Sequence, residues 1–133
     1  TMQIHQSAED YLETILMLNQ RMGRVRSIDV VNELGYTKAS VSIAMKKLRE
    51  NGYIAVDGEG NLTLLEPGRE IAERIYSRHR LLTHFFVQLG VDEAIAAEDA
   101  CKAEHILSEQ TLEKIREYAL LHDAQDSVKP QGE

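Results

Sequence analysis

The stretch SIDVVNELGYTKASVSIAMKKLRENGYIAVDGEGNLTLLE, residues 27–66, decides the predicted fold. Its first part predicts a short helix over Ile28–Leu34, and Gly35 then supplies a tight turn to a longer helix that ends near Asn51. Two capping residues precede these helices, Ser27 and Thr37. Apolar residues recur at helical spacing and form the inward faces: Val30, Val31 and Leu34, then Val41, Met45 and Leu48.

Two short alternating runs follow the second helix. Tyr53–Asp57 (YIAVD) and Asn61–Glu66 (NLTLLE) are joined by Gly58-Glu59-Gly60, a pattern that predicts a β-hairpin. Two helices across a glycine turn, followed by a hairpin, make a winged helix-turn-helix. In that motif the second helix enters the major groove of DNA, and here the wing tip with Glu59 would approach a flanking groove.

The sequence on either side of this stretch predicts helices only. A first helix covers about Ala8–Met22, with Ser7 and Asp10 in a capping-box arrangement. A long helix covers about Gly68–Leu89, with Pro67 suited to its first turn. Two further helices, over Asp92–Leu107 and Glu109–Ala124, precede a polar tail, DSVKPQGE.

The predicted fold class is mainly α with a small β-hairpin. We place the domain boundary inside the long helix, with a winged helix-turn-helix DNA-binding domain over residues 1–71 and an all-helical domain over residues 72–133. The net charge of −7 supports this division. Residues 1–80 hold 11 Lys/Arg and 11 Asp/Glu, whereas residues 81–133 hold 4 and 11. The acidic second part therefore suits a cation or a protein better than a phosphate backbone.

Composition describes one small globular protein. The chain has 133 residues, of which 43% are hydrophobic and 28% are charged, and it contains no apolar run of the ~18 residues that a membrane helix needs. The start of the sequence does not have the pattern of a signal peptide. One cysteine cannot form an internal disulfide, which fits a reducing compartment. We therefore predict a cytoplasmic protein with no membrane partner.

The polar face of the second helix of the pair carries the predicted DNA contacts. Small polar side chains reach phosphates or base edges, an alanine approaches a thymine methyl group, and lysines contact phosphates. The candidate DNA-binding residues are Arg26, Thr37, Lys38, Ala39, Ser40, Ser42, Lys46 and Lys47. The alternative is a solvated helix in an unrelated α/β domain, and Arg21, Arg24 and Arg26 fit solvated loop charges equally well.

Ligand-type side chains occur at one-turn spacing in two places outside the opening stretch. Asp10 and Glu13 lie three residues apart, as do Cys101 and Glu104, and His105 follows directly. Such spacing places side chains on one face of a helix. Carboxylate, imidazole and thiolate groups bind divalent first-row metal ions. These residues therefore predict a metal site.

His79 joins these candidates from the middle of the predicted long helix. Carboxylates favour Mn²⁺ or Fe²⁺, while a thiolate favours Fe²⁺, Zn²⁺ or Co²⁺, so the residues leave the identity of the metal open. Each candidate also has a structural alternative. Asp10 could cap its helix, the glutamates could be surface charges, the histidines could be core residues, and Cys101 could be a small buried hydrophobe.

Four segments resemble the diphtheria toxin repressor family, particularly its manganese-responsive branch. They are AEDYLETILML (8–18), the helix-turn-helix, YSRHRLLTHFF (76–86) and DACKAEHILS (99–108). The most specific motifs are D-Y-L-E at 10–13, R-H-R-L-L at 78–82 and C-x-x-E-H at 101–105. The resemblance implies an N-terminal winged helix, a helical dimerisation domain that holds metal, and a metal corepressor.

The resemblance also implies ligands for two neighbouring metal sites. Asp10, Cys101, Glu104 and His105 would form the primary site, and Glu13 and His79, sharing Glu104, would support the second. Manganese-responsive members usually carry an aspartate at the position of Asp10 and a glutamate at that of Cys101, whereas iron-responsive members carry methionine and cysteine. This chain is a hybrid. The ancillary site of the iron branch adds a glutamate and a histidine where Thr83 and Ala97 stand, so that version is missing.

On this basis we predict a homodimeric repressor of transcription that a divalent metal activates and that controls metal homeostasis. Mn²⁺ is the predicted cofactor, Fe²⁺ is the alternative, and Co²⁺ or Zn²⁺ would bind in vitro. The predicted partners are palindromic operator double-stranded DNA and a second copy of the chain, with no organic substrate. Dimer-surface candidates are Leu81, Leu82, Phe85, Phe86, Val87, Ile106 and Leu107.

Two rival functions stay open at this point. A metal-independent winged-helix regulator would have the same DNA-reading half. A carboxylate-bridged metal enzyme would use carboxylates with Glu-x-x-His pairs, but here Glu104 and His105 are adjacent and no second pair exists. We therefore predict no enzymatic activity.

Overall fold

The computed structural model describes residues 6–128, with side chains as far as residue 125. Within that range the chain forms helices and one antiparallel hairpin. In chain order the elements are α1 (Gln6–Met22), α2 (Ser27–Leu34), α3 (Lys38–Glu50), β1 (Ile54–Val56), β2 (Leu62–Leu64), α4 (Glu66–Gln88), α5 (Glu93–Ala103) and α6 (Glu109–Val128). The predicted fold class, mainly α with a small β-hairpin, is confirmed.

The chain divides into two compact units, and the division falls within α4 between Ile75 and Tyr76. The first unit holds α1 to α3, the hairpin and the start of α4, and the second holds the rest. α6 includes the first three positions of the predicted polar tail, and residues 129–133 of that tail lie outside the described residues. None of the described helices is long and apolar enough to cross a membrane.

A side-chain cap and a glycine turn shape the helix-turn-helix in the first unit. The Thr37 hydroxyl caps α3 by accepting a hydrogen bond from the Ser40 N–H at 3.1 Å. Gly35 ends α2 with φ at 72°, a left-handed conformation that glycine adopts without strain. The predicted stripe of α3 is buried: Val41, Met45 and Leu48 are 0%, 4% and 3% exposed.

The hairpin is short and is tied to the loop before α2. β1 pairs with β2 so that Ile54 lies opposite Leu64. Alternate residues of the strands are buried, which gives the hairpin one face on the core and one in solvent. The Leu62 N–H also donates to the Val25 carbonyl at 2.7 Å. The loop that contains Val25 is therefore hydrogen-bonded to the start of β2.

Two predicted helix caps are wrong. Arg26, not Ser27, is the N-cap residue of α2, and the Asp29 carboxylate accepts a hydrogen bond from the Arg26 backbone N–H at 2.9 Å. α1 begins at Gln6, so Ser7 lies inside that helix. Both predictions failed because serine is acceptable at an N-cap and also in the first turn of a helix. An acidic side chain can satisfy the backbone N–H of the N-cap residue three positions before it, whichever residue that is.

A close backbone approach fixes the start of α4 in the first unit. A Cβ atom at Gly68 would lie 2.2 Å from the Tyr53 carbonyl oxygen and 3.3 Å from Leu12 Cδ2. Only glycine fits this contact. α1 supplies the adjoining core through Leu12, Ile15 and Leu18, which are at most 2% exposed. The start of α4 therefore packs against Tyr53, the residue before β1.

The second unit has its own small core. Leu82, Ala100 and Leu112, one from each of its helices, are at most 1% exposed and lie together. Leu82 is therefore a core residue, and its predicted place on a dimer surface is wrong. α5 also ends at Ala103, short of the predicted end at Leu107.

Candidate metal centre and DNA-binding surface

Glu104 is the buried carboxylate at the centre of the candidate metal site. It is the C-cap residue of α5, and its N–H donates to the Ala100 carbonyl at 2.9 Å. Its side chain is 0% exposed. The sequence predicted Glu104 and His105 within one helix, but here His105 follows the end of α5 in the turn toward α6.

Each oxygen of the Glu104 carboxylate faces a different imidazole. His79 Nδ1, from α4, lies 2.9 Å from Glu104 Oε2. His105 Nε2 lies 3.4 Å from Glu104 Oε1. The His79 side chain is 21% exposed and the His105 side chain is 2% exposed. The carboxylate thus has two separate sides, each with one imidazole.

The backbone around these residues is held by side chains of α4. Arg78 donates from Nη1 to the Glu104 carbonyl at 3.2 Å, and its Nη2 pairs with the Glu109 carboxylate at the start of α6. The Thr83 hydroxyl donates to the His79 carbonyl at 2.8 Å. Arg78 therefore links α4 to both ends of the turn that carries His105.

The donor set fits a divalent transition-metal ion. Glu104 Oε1 is buried and accepts no hydrogen bond from the part of the chain that the structure describes. Burying a carboxylate oxygen in that way is unfavourable unless an opposite charge or a donor compensates it. Carboxylate oxygen and imidazole nitrogen are ligands that Mn²⁺, Fe²⁺ and Zn²⁺ accept. Three donors fall short of a full coordination shell, so further ligands are needed.

The other predicted ligands lie on α1 and α5. Asp10 and Glu13 are one turn apart on α1 in the first unit, with Asp10 half-buried and Glu13 buried. Burial raises the pKa of the neighbouring Tyr11, and the charges of Tyr36 and Asp10 add to that shift. Cys101 lies on α5, one turn before Glu104, with an exposed side chain. The metal roles of Asp10, Glu13 and Cys101 stay predictions.

The predicted DNA-contacting residues of α3 are in solvent. Lys38, Ala39, Ser40, Ser42, Lys46 and Lys47 are all exposed, as is the cap residue Thr37. The Thr37 hydroxyl donates to Ser40 Oγ at 2.9 Å, so the capping role occupies part of its hydrogen-bonding capacity. Arg26 is exposed but bonds the wing, and its predicted DNA contact stays a prediction.

A cleft beside α3 adds residues that the sequence interpretation missed. It has a volume of about 260 Å³ and is lined by Ser27, Ser42, Met45, Lys46, Arg49 and Val56. Two cations and two hydroxyl groups around one cleft suit a phosphate group. Ile43 is an apolar α3 residue outside the buried stripe and is 58% exposed.

The second unit exposes large apolar side chains. Seven of them, on or beside its three helices, are more than two-fifths exposed: Val87, Leu89, Ile95, Ile106, Tyr118, Leu120 and Leu121. Only Val87 and Ile106 were among the predicted dimer residues. Apolar side chains exposed to this extent are available to a partner where they form one contiguous patch.

Two family models match this chain. The model described as "Iron dependent repressor, N-terminal DNA binding domain" matches residues 3–62. The model described as "Iron dependent repressor, metal binding and dimerisation domain" matches residues 65–124. Together they cover most of the sequence.

Relatives and solved structures agree with these matches. An HTH-type transcriptional regulator of Methanocaldococcus jannaschii is 36% identical over 113 residues, which are 84% of this chain and 90% of that protein. The HTH-type transcriptional regulator MntR of Bacillus subtilis is 32% identical over 123 residues, 92% of this chain and 87% of that protein. A manganese-dependent transcriptional repressor solved with manganese has a TM-score of 0.77 at 28% identity, over 84% of this chain and 52% of that chain. This chain therefore spans about half the length of that structure and most of the length of the two relatives.

Proposed function

Because this chain belongs to the iron-dependent repressor family, in the manganese-responsive branch of the diphtheria toxin repressors, we propose that Mn²⁺ is its activating ion. The chain is a metal-dependent transcriptional repressor of metal homeostasis, with one DNA-binding and one metal-binding and dimerisation domain. The observation that carries the metal assignment is the buried Glu104 carboxylate between His79 and His105. Fe²⁺ is the alternative ion.

Glu104 serves two metal positions in this proposal. Oε1 with His105 belongs to one position and Oε2 with His79 to the other, because each oxygen faces its own imidazole. The family resemblance assigns Asp10 to the first position and Glu13 to the second. A bound divalent ion would place a positive charge beside this buried carboxylate.

The role of Cys101 determines how far the ligand set of this site differs from that of an oxygen-rich manganese site. Its exposed thiol lies one turn before Glu104, where it would be a ligand or would tune the site from outside the coordination shell. A thiolate ligand favours Fe²⁺, Zn²⁺ or Co²⁺, whereas an oxygen-rich set favours Mn²⁺. With Mn²⁺ as the activating ion, Cys101→Ala keeps activation by Mn²⁺.

The operator is double-stranded DNA read by two copies of the chain. The exposed polar face of α3 enters the major groove, and the cleft with Lys46 and Arg49 takes a phosphate. Two recognition helices about 34 Å apart read a palindromic site. The exposed apolar residues of the second unit supply the homodimer surface. We place the protein in the cytoplasm and assign it no enzymatic activity.

Metal activation requires that metal and DNA favour the same form of the protein. A metal raises DNA affinity only by binding the DNA-competent form more tightly, and typical couplings are about 1–3 kcal/mol, or 5–150-fold. By reciprocity, operator DNA raises the metal affinity by the same factor.

The test is operator binding by fluorescence anisotropy, under anaerobic conditions with a thiol reductant. The operator is selected from a random duplex pool with the Mn²⁺-loaded protein, and binding is then measured with chelator, Mn²⁺, Fe²⁺, Co²⁺ or Zn²⁺ at matched free concentrations. We expect activation by low-micromolar Mn²⁺, and its loss in Glu104→Ala and His105→Ala. Activation by Fe²⁺ or Co²⁺ alone would transfer the deciding role to Cys101.

Operator binding, combined with a metal titration in the absence of DNA, separates DNA contacts from metal ligands. Lys38→Ala and Ser40→Ala should weaken operator binding without changing the metal affinity measured in the absence of DNA. A fall in metal affinity in either variant would show that this division of roles is wrong.

A further inference from the structure

We propose that Arg26 acts in DNA binding as the positioning residue of the wing, an inference that rests on the proposed function. Its guanidinium donates from Nε to the Glu59 backbone carbonyl at 3.0 Å, and its Nη2 donates to the same oxygen. Glu59 lies at the tip of the hairpin, between β1 and β2. One side chain therefore holds the wing tip by two hydrogen bonds to a single backbone oxygen.

The wing tip is built so that this carbonyl has a fixed position. The Asp57 carboxylate accepts hydrogen bonds from the N–H groups of Glu59 and Asn61, both at 2.9 Å, and from the Asn61 side-chain amide at 3.0 Å. These bonds lower the pKa of Asp57, with the Asn61 N–H as the largest cause. Gly60 closes the turn with φ at 84°.

The other end of Arg26 is fixed as well. Arg26 is the N-cap residue of α2, and its backbone N–H donates to the Asp29 carboxylate at 2.9 Å. Its guanidinium also passes close to Gly60, where a Cβ atom would lie 3.7 Å from Nε. Arg26 thus joins the wing tip to the start of α2, the helix that precedes the recognition helix.

This arrangement changes what Arg26 contributes to DNA binding. Two of the five N–H donors of the Arg26 guanidinium group are directed at a protein carbonyl. Arg26 therefore orders a loop and does not have all of its donors available for a phosphate. Lysine keeps the charge but cannot grip one oxygen with two N–H groups in a fixed plane. Arg26→Lys therefore separates positioning from charge.

Arg24 is a matched control in the same loop. Its side chain is 83% exposed, and its Nη1 lies 3.8 Å from the Glu59 carboxylate, without a hydrogen bond to the wing backbone. Arg24→Gln removes the same charge from the same loop and leaves the grip of Arg26 on Glu59 in place.

The first measurement needs no DNA. Amide hydrogen exchange of residues 57–61 is compared in the full chain for wild type, Arg26→Gln, Arg26→Lys and Arg24→Gln. We expect exchange to rise about tenfold in both Arg26 variants and to stay unchanged in Arg24→Gln, because a charge-assisted hydrogen bond to the loop is lost only at Arg26. Equal exchange in all four proteins would overturn the inference.

The second measurement is operator affinity across a salt series. We expect Arg26→Gln and Arg26→Lys to lose about the same affinity, three- to tenfold, with the salt dependence of Arg26→Lys equal to that of wild type. Wild-type affinity in Arg26→Lys would show that the charge alone matters and would contradict the inference. If wild type bound no DNA, the proposed function would fail, while the exchange comparison would still test the grip.

Discussion

Glu104 concentrates the chemistry of the candidate metal centre at one residue. Its carboxylate is 0% exposed, and His79 and His105 approach different oxygens of it. A carboxylate with an imidazole on each side can share two ions, whereas either histidine serves only one. Loss of Glu104 should therefore affect both positions at once.

Glu104→Gln tests this at the level of one atom. The amide keeps the shape but removes the charge and one acceptor oxygen, so we expect Mn²⁺ affinity to fall about 100-fold or more, measured by isothermal titration calorimetry. Glu98→Gln, an exposed position on α5, is the control and should bind Mn²⁺ as wild type does. Equal affinity in the two variants would remove Glu104 from the site.

Asp57 gives a prediction about pH. Hydrogen bonds from Asn61 hold its pKa below the ordinary value of 3.8 in the folded wing. The contribution of Asp57 to wing stability is therefore complete above about pH 3.8 and is lost as the pH falls through the lower, folded value. The Asn61 amide NMR signal should titrate with a midpoint below 3.8, and Asp57→Asn should remove that titration. A midpoint at or above 3.8 would contradict the turn geometry.

The sequence and the family resemblance named the candidate metal residues and their division between two sites, but not the contacts of each Glu104 oxygen. One-turn spacing and the family resemblance identified His79, Glu104 and His105 as candidates. Which oxygen of Glu104 faces which imidazole depends on where α5 ends and on how α4 packs beside it. Neither property is encoded within a few residues of Glu104.

The turn between α5 and α6 is the element that presents His105, and Arg78 holds it. Arg78→Gln should lower Mn²⁺ affinity about tenfold, because Arg78 contacts the Glu104 carbonyl and Glu109 but is not a ligand. Arg80→Gln is the control, since Arg80 is exposed and lies over the Tyr76 ring at 5.8 Å. Calorimetry on both proteins makes the comparison, and identical affinities would show that the turn holds its shape without Arg78.

The start of α4 offers a test of packing. Alanine is a better helix former than glycine, yet Gly68→Ala should destabilise the protein by about 1–3 kcal/mol because its Cβ atom would meet the Tyr53 carbonyl at 2.2 Å. Gly58→Ala, with no heavy atom within 4 Å of the added carbon, should change stability little. Urea unfolding followed by circular dichroism gives both values. A stabilised Gly68→Ala protein would show that this contact is relaxed in solution.

Most helices and strands could be predicted from local sequence, and the wrong end predicted for α5 also has a local cause. The stripe of Val41, Met45 and Leu48 and the Thr37 cap predicted α3 correctly because both signals lie within the helix. The end of α5 was wrong because no glycine or proline stands between Asp92 and Leu107 to mark it. No breaker residue ends that helix, and the turn that follows it is held by the Arg78 hydrogen bond to the Glu104 carbonyl.

At the scale of the whole molecule, exposed apolar surface predicts self-association. Ile106 and Leu121 are 76% and 64% exposed in the second unit. Both lie within residues 65–124, which match the family model of the metal-binding and dimerisation domain. Leu121→Glu should shift the protein toward monomer, because a charge cannot be buried in an apolar interface without a partner. Met22→Glu, at an exposed apolar position of the first unit, is the control. Sedimentation velocity reads out both, and a dimer unaffected by Leu121→Glu would place the interface elsewhere.

The two-part organisation was predictable, and the dimer surface was not. Charge separation and motif order along the chain indicated a DNA-reading part and an acidic helical part. Leu82 and Val87 have the same apolar character in sequence, yet one is 0% exposed and the other is 42% exposed. Only the packing of α4 with α5 and α6 separates a core residue from a surface residue there.

The most direct test of this account is operator affinity for wild type and Glu104→Gln, each measured with Mn²⁺ and with chelator. We expect Mn²⁺ to raise wild-type affinity about 5–150-fold and to leave the affinity of Glu104→Gln at the chelator value. Tight binding by both proteins in chelator, or equal activation of both by Mn²⁺, would contradict a metal switch centred on Glu104.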